Sequence, residues 1–357
     1  MDHRVRRRAV AARLDELGVD ALLVTSLVNT RYLTGFTGSN GRLLLGRDLE
    51  LFLTNGRYAA SSRRELSDIE RSAEASYRPT VVERCRAAGI ASLGVEASAM
   101  TVGEHDSLVD AVADGTTVLP LRDVVEEHRR VKDGEERDLL RRAQAVTDAA
   151  FTGILDRFAV GVTEQWVARE LDRLMVEAGA DGPSFDTIVA FGENAAEPHH
   201  EPNHRALEEG DAITMDLGAL VEGYHADMTR TIAFGQAAAE LRKVHDVVRQ
   251  AQQAAIDAVR PGMTGIELDG VARSVIAEAG YGDAFVHGLG HGVGLQIHEG
   301  PWLGTTQDNV LPEGAVVTIE PGVYLDGIGG VRIEDMVELT SEGCVVLGSS
   351  SREMIEL

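Results

Sequence analysis

Two cysteines in 357 residues, Cys85 and Cys344, are too few for a disulfide framework and exclude a zinc site built on thiolates. That scarcity fits a reducing cytoplasm. Basic charge is scarce as well: 34 Lys and Arg stand against 58 Asp and Glu, a net charge of −24. A general nucleic-acid binder needs a basic face to displace counterions, and adhesion to an anionic membrane needs the same, so neither partner is expected. No stretch approaches the ~18 consecutive apolar residues of a membrane span. Arg4, Arg6, Arg7 and Arg8 are followed by AVAARLDELG, which carries Arg13, Asp15 and Glu16 where a signal peptide has its apolar core. The segment reads instead as an amphipathic helix stopped by Gly18. Internal repeats and low-complexity segments are also missing.

What is present is ordinary globular material, 44% hydrophobic and 26% charged. The length suggests two domains, each able to bury a core. Apolar patterning runs throughout, so the acidity does not signal disorder; some carboxylates are expected to gather around cations. In the first ~120 residues, ALLV (21–24), RLLLG (42–46), ELFLT (50–54) and SLGVE (92–96) read as strands. RYAASSRREL (57–66) and VVERCRAAG (81–89) read as helices. Alternating strands and helices predict a small α/β domain with a largely parallel sheet. The charged stretch EEHRRVKDGEERDLLRRAQ (126–144) follows, and a domain boundary near 120–128 divides the chain into 1–125 and 126–357.

Beyond Asp133, Leu139, Leu140, Ala143, Val146 and Ala150 recur at helical spacing. Two more helices are expected at about 163–178 and 239–259. Around them AITMDLGAL (212–220), ADMTRTIAF (226–234), AVVTIEPGVYL (315–325) and GVRIEDMVELT (330–340) read as strands. Strands beside separated helices predict an α+β domain with an antiparallel sheet.

One motif is tempting and fails. His200-Glu201-Pro202-Asn203-His204 matches HExxH, but that pattern holds zinc only on a helix, and Pro198 and Pro202 interrupt this one. A second constellation is coherent. Ile213, Met215 and Leu217 alternate onto one face, so Asp216 projects to the other, and Asp227 follows eleven residues later on the next strand. Two carboxylates held together repel unless a cation or proton intervenes. His287-Gly288-Leu289-Gly290-His291-Gly292-Val293-Gly294 carries two imidazoles on a backbone free to approach a site closely, and continues to Gln296-Ile297-His298-Glu299. Glu320 ends an apolar run before Pro321, and Arg332 and Glu334 share one face of their strand. Asp216, Asp227, His291, Glu320 and Glu334 together offer four carboxylates and one imidazole, whose −4 charge balances two divalent cations. An oxygen-rich set without thiolate favours Mn²⁺, followed by Co²⁺, Fe²⁺ or Zn²⁺.

The blocks DLGA, ADMTRT, HGLGHGVGL, IHEGP, IEPGVY and RIED, in this order and spacing, resemble the pita-bread metallopeptidases. That superfamily holds Xaa-Pro aminopeptidase, Xaa-Pro dipeptidase (prolidase), methionine aminopeptidase and creatinase. NTRYLTGFTGSNG (29–41) and LTNGRYAA (53–60) are similar to phrases of the creatinase/prolidase-type N-terminal domain, with Asn55 where that family often has Asp. The resemblance implies an α/β creatinase-like domain followed by an α+β pita-bread catalytic domain. By position it makes Asp216 the chelating ligand of one metal and Asp227 and Glu334 the bridges, with His291 and Glu320 holding the other metal. His199 matches the histidine facing the substrate, with His200 as the alternative, and His298 matches the second substrate-side histidine. His287 lines the same pocket, and Tyr324 and Arg332 match accessory active-site residues.

The mechanism implied is attack by a metal-bridging hydroxide, with His298 or His199 stabilising the oxyanion and Glu320 carrying the proton to the leaving nitrogen. Creatinase works without metal, so five intact ligands point away from it. An N-terminal domain of this kind points away from methionine aminopeptidase. Xaa-Pro aminopeptidase is therefore expected first, acting on short peptides with proline second, and Xaa-Pro dipeptidase is the alternative. A non-peptidase metal enzyme or a binding protein on the same fold comes after both. The resemblance also implies a homodimer.

Overall fold

Short leucine-rich strands without polar interiors need cover on both faces, and in the first unit, Met1–Arg129, helices alternate with such strands. The computed structural model describes residues 1–357. In chain order this unit runs α1 (His3–Ala11), β1 (Ala21–Val24), α2 (Leu27–Thr34), β2 (Arg42–Gly46), β3 (Glu50–Thr54), α3 (Ala59–Glu65), β4 (Glu70–Ala73), α4 (Tyr77–Ala88), β5 (Ser92–Glu96), α5 (Val102–Val112), β6 (Thr117–Leu121) and α6 (Glu126–Arg129). The six strands form one sheet in the order β4-β3-β2-β1-β5-β6.

That sheet is mixed and corrects the expectation of a largely parallel one. The ladders β3–β4, β1–β5 and β5–β6 are parallel, whereas β1–β2 and β2–β3 are antiparallel. The β2–β3 turn explains its own ladder: Gly46 N–H donates to Leu49 O at 2.7 Å, and so tight a connection can only return the chain antiparallel. Helix α5 was not foreseen, although Thr101 and Glu104 close a reciprocal capping box at its start.

The second unit, Arg130–Leu357, begins with α7 (Gly134–Leu155) and α8 (Glu164–Glu177). Strands β7 (Gly182–Pro183), β8 (Ile188–Phe191), β9 (Ala212–Leu217), β10 (Ala219–Val221), β11 (Tyr224–His225) and β12 (Met228–Ala233) follow. After α9 (Ala239–Ala258) and α10 (Gly265–Glu278) come β13 (Gly290–Gly292), β14 (Glu299–Leu303), β15 (Val316–Ile319), β16 (Gly322–Leu325), β17 (Gly329–Arg332), β18 (Asp335–Thr340) and β19 (Gly343–Val346). Every ladder here is antiparallel. Helix α10 was missed too, and again a capping box, Thr264 with Glu267, opens it.

Two apolar cores fill the unit. One packs α9 and α10 on β15, β17 and β18 through Val248, Leu268, Val317, Val331 and Val337. The other packs α7 and α8 on β8, β9 and β12 through Ile154, Leu171, Phe191, Met215 and Ile232.

Three segments read as single strands each break in two. AITMDLGAL breaks at Gly218, where a side chain would collide with the Ala226 carbonyl. AVVTIEPGVYL breaks at Glu320-Pro321, because proline has no N–H to continue a ladder. GVRIEDMVELT breaks at Ile333-Glu334, where Glu334 N–H donates to Thr229 O at 3.0 Å and Arg230 Nη1 donates to Glu334 O at 2.5 Å. The chain there leaves the β16–β17 ribbon for the sheet β14-β13-β15-β18-β19. Glu320 and Glu334 stand at two of these breaks.

Candidate metal centre and active site

Strand register brings the two aspartates together. Thr229 pairs with Asp216 and Met228 with Leu217, so Asp227 sits one step beyond the end of the β9–β12 ladder, beside Asp216. The residues between form the β10–β11 hairpin in another sheet, its turn made by Glu222 and Gly223, both at positive φ. On β13, His291 is flanked by Gly290 and Gly292. A side chain at either would meet the backbone of Thr318 or Gly300, so only glycine lets the strand carry its imidazole this deep.

The five donors proposed from the sequence converge. One oxygen or nitrogen each from Asp227, His291 and Glu334, all buried, lies within 4.8 Å of the others. His291 Nε2 is 3.5 Å from Asp227 Oδ2 and 3.4 Å from Glu320 Oε1. Asp216 Oδ2 accepts from Arg332 Nη2 at 2.7 Å, while its Oδ1 is buried without a partner.

The electrostatics of this cluster are unfavourable as they stand. Burial, then the charges of Asp216 and Glu320, push the Asp227 carboxyl well above the ordinary carboxylate range. Burial and the neighbouring Asp227, Glu320 and Asp216 do the same to Glu334, and burial drives Glu320 up to about 7 against the pull of Arg332. Burial brings His291 down to about 4, so its imidazole is neutral. Its Nδ1–H donates to Gly292 O at 3.0 Å, which leaves the Nε2 lone pair pointing at carboxylate oxygens. Acceptors facing acceptors in a buried site are stable only around a cation or shared protons.

A ring of donors holds these groups in place. Thr229 Oγ1 donates to Glu334 Oε2 at 2.7 Å and accepts from Arg332 Nε at 3.0 Å; Thr318 Oγ1 donates to Glu320 Oε1 at 3.0 Å. Gln252 on α9 donates to Ile319 O and to Asp335 Oδ2, the neighbours in sequence of Glu320 and Glu334. Thr229 and Thr318 went unassigned in the sequence, yet they stand two residues from Asp227 and Glu320, the spacing that places strand residues on one face. Gln252 had no such signal.

A cavity of about 430 Å³ opens on the cluster. His199, His287, His298 and Arg332 line it, with Phe185, Ile188, Ile297, Trp302 and Leu303 as apolar wall. Burial keeps His298 below its ordinary pKa, and its ring lies 4.4 Å from that of His291, edge to face. His287 accepts at Nε2 from Tyr324 Oη at 2.9 Å and donates its Nδ1–H to Gly288 O. Tyr324 is buried, and its hydroxyl links His287 to Arg332 Nη1. His199 is exposed to the cavity while His200 is buried against Glu164, so of the two neighbours His199 faces the pocket. The segment 200–204 is not helical, and His204 is exposed.

Residues 138–341 match metallopeptidase family M24, and residues 6–131 match the creatinase/prolidase N-terminal domain. The chain belongs to metallopeptidase family M24. It is 34% identical to the Xaa-Pro dipeptidase of Pyrococcus furiosus, over 96% of this chain and 97% of the other. Among solved structures it resembles the Xaa-Pro dipeptidase from Bacillus anthracis, at 37% identity, TM-score 0.97 and full coverage of both chains. It also resembles the X-Pro aminopeptidase from Thermotoga maritima MSB8, at 34% identity and TM-score 0.89, over 97% of this chain and all of the other.

As an M24 protein the chain thus has a creatinase-type N-terminal domain and a pita-bread catalytic domain, and it is a peptidase. The metal that the family's name implies fits the residues present. Asp216 Oδ1 lacks a partner, the His291 lone pair faces oxygens, and the carboxylates repel one another until positive charge enters. No helix is long and apolar enough to cross a membrane.

Proposed function

We propose that this chain is an Xaa-Pro dipeptidase that uses two divalent cations, with Mn²⁺ favoured by the oxygen-rich donor set. One observation carries the metal reading: the neutral His291 Nε2 faces Asp227 and Glu320 on the floor of a cavity. End-to-end similarity to chains described as Xaa-Pro dipeptidases supports the substrate class and moves the dipeptidase ahead of the aminopeptidase preferred from the sequence. Asp216, Asp227, Glu334, His291 and Glu320 would hold the cations, which supply Lewis acidity and an activated water.

The chain's own residues do the rest. His298, on the cavity wall and below its ordinary pKa, offers an imidazole N–H to a carbonyl oxygen that gains charge. His199 offers a second. Glu320, held by Thr318 Oγ1, is placed to take a proton from the activated water and return it to the leaving nitrogen. An Xaa-Pro bond is a tertiary amide without N–H, and the apolar wall of Phe185, Ile188 and Trp302 suits a pyrrolidine ring.

The test is metal-stripped protein restored with Mn²⁺ and assayed on an Xaa-Pro dipeptide and an Xaa-Pro-Yaa tripeptide. Cleavage of the dipeptide alone is the expected result. Cleavage of the tripeptide establishes the second reading, an Xaa-Pro aminopeptidase, which the likeness to the Thermotoga maritima structure keeps in view. Failure on both overturns the substrate class. The homodimer is a separate part of the proposal, and light scattering that returns a monomer removes it.

A further inference from the structure

The HExxH-like segment rejected as a zinc motif has partners of its own. Glu164, the first residue of α8, is fully buried and accepts four hydrogen bonds, all from residues 191–203. Its Oε1 accepts from Phe191 N–H at 2.8 Å and Asn194 Nδ2 at 2.9 Å; its Oε2 accepts from His200 Nε2 at 2.9 Å and Asn203 N–H at 3.1 Å. The other His200 nitrogen, Nδ1, lies 2.9 Å from Glu197 Oε2. Between Asn194 and Asn203 the chain carries Pro198, whose carbonyl accepts from Arg332 Nη1 at 3.2 Å, and His199, which lines the cavity. Apart from a short 3₁₀ turn, no regular ladder holds this stretch, so the buried carboxylate substitutes for one.

We propose that Glu164 and His200 form a buried clamp that positions His199 in the active-site cavity. Neither touches the cavity; both act through the residue between Pro198 and His200. The inference rests on His199 as a group that meets the substrate.

The experiment is a double-mutant cycle on Mn²⁺-loaded protein with an Xaa-Pro dipeptide. Glu164→Gln keeps the shape but loses the charge-assisted bonds, and kcat is expected to fall on the order of 10-fold or more, since a misplacement near 1 Å costs about 10². KM and the Mn²⁺ affinity measured by calorimetry stay unchanged. In a His199→Ala background the same substitution lowers kcat no further, because the residue it acts through is gone. If Glu164→Gln does not fold, His200→Gln gives the same cycle. Full kcat in His199→Ala overturns the substrate role of His199 and this inference with it. An impaired His199→Ala in which the clamp substitution still exerts its whole effect overturns the inference alone, as does loss of Mn²⁺ affinity in Glu164→Gln.

Discussion

Each half of the chain buries carboxylate, a single one in the N-terminal domain and a cluster in the catalytic domain, and the two are finished in opposite ways. In the N-terminal domain Glu96 accepts from Thr25 N–H, Ser26 N–H and Asn29 Nδ2, and Asn29 Oδ1 accepts from Arg129. Burial still raises the Glu96 pKa, but donors from its own domain meet both oxygens. In the catalytic domain Asp227, Glu320 and Glu334 face one another and a neutral imidazole, and Asp216 leaves an oxygen unmet. Buried charge that the chain satisfies by itself is architecture. Buried charge left short of donors beside a cavity is prepared for something that arrives from solution.

The largest effects belong to the unfinished cluster. Asp227→Ala is expected to abolish metal uptake and lower kcat/KM by about 10³ or more, measured by calorimetry and peptide hydrolysis. Asp227→Asn sharpens the point through a change of sign. In metal-free protein it raises Tm, because folding no longer has to protonate a buried carboxylate; with Mn²⁺ at 100 times its Kd the wild type gains ~2.7 kcal/mol per cation and overtakes it. A wild type more stable than Asp227→Asn in both conditions would break the comparison.

Next in size is His298→Ala, which keeps both metal equivalents and lowers kcat by about 10² to 10³, the cost of one oxyanion donor. Metal loss there would move His298 into the cluster. The satisfied carboxylate gives the contrast: Glu96→Gln costs about 1–3 kcal/mol in urea unfolding, as its N–H donors lose a charged acceptor, and leaves metal stoichiometry untouched.

The same contrast explains what was legible in the sequence. Asp216, Asp227, His291, Glu320 and Glu334 stood out because apolar neighbours framed them and family blocks carried them. Their convergence depends on strand breaks that the residue pattern conceals. Val331, Ile333, Asp335 and Val337 alternate as one strand would, yet the chain changes sheets at Ile333-Glu334, held by bonds from β12. The long helix α7 declared itself by periodicity, whereas the only clear signals of α5 and α10 were T-x-x-E boxes, which went unread. Gln252 and Glu164 were invisible because what matters about them is a partner remote in sequence. Polar residues two apart on a ligand's strand, Thr229 and Thr318, were within reach of the alternation argument.

The smallest effect separates two buried histidines by the sign of their pH dependence. Burial lowers the His200 pKa, but bonds to Glu197 and Glu164 and the charges of both outweigh it, so the folded value lies above the unfolded ~6.5. Its stabilising contribution is full below pH ~6.5 and is lost as pH rises through the folded pKa. His245 on α9 is the reverse: burial lowers it to about 4, so the folded state resists its protonation. That contribution is full above pH ~6.5 and is lost as pH falls toward 4. The stability difference between wild type and His200→Gln, followed by urea unfolding, should therefore shrink from pH 6 to pH 9. The difference for His245→Gln should shrink from pH 7 to pH 5. A His200 difference that grows with pH would mean that its imidazole is neutral, with one N–H for two carboxylates, and the clamp on His199 would then keep a single hydrogen bond from it.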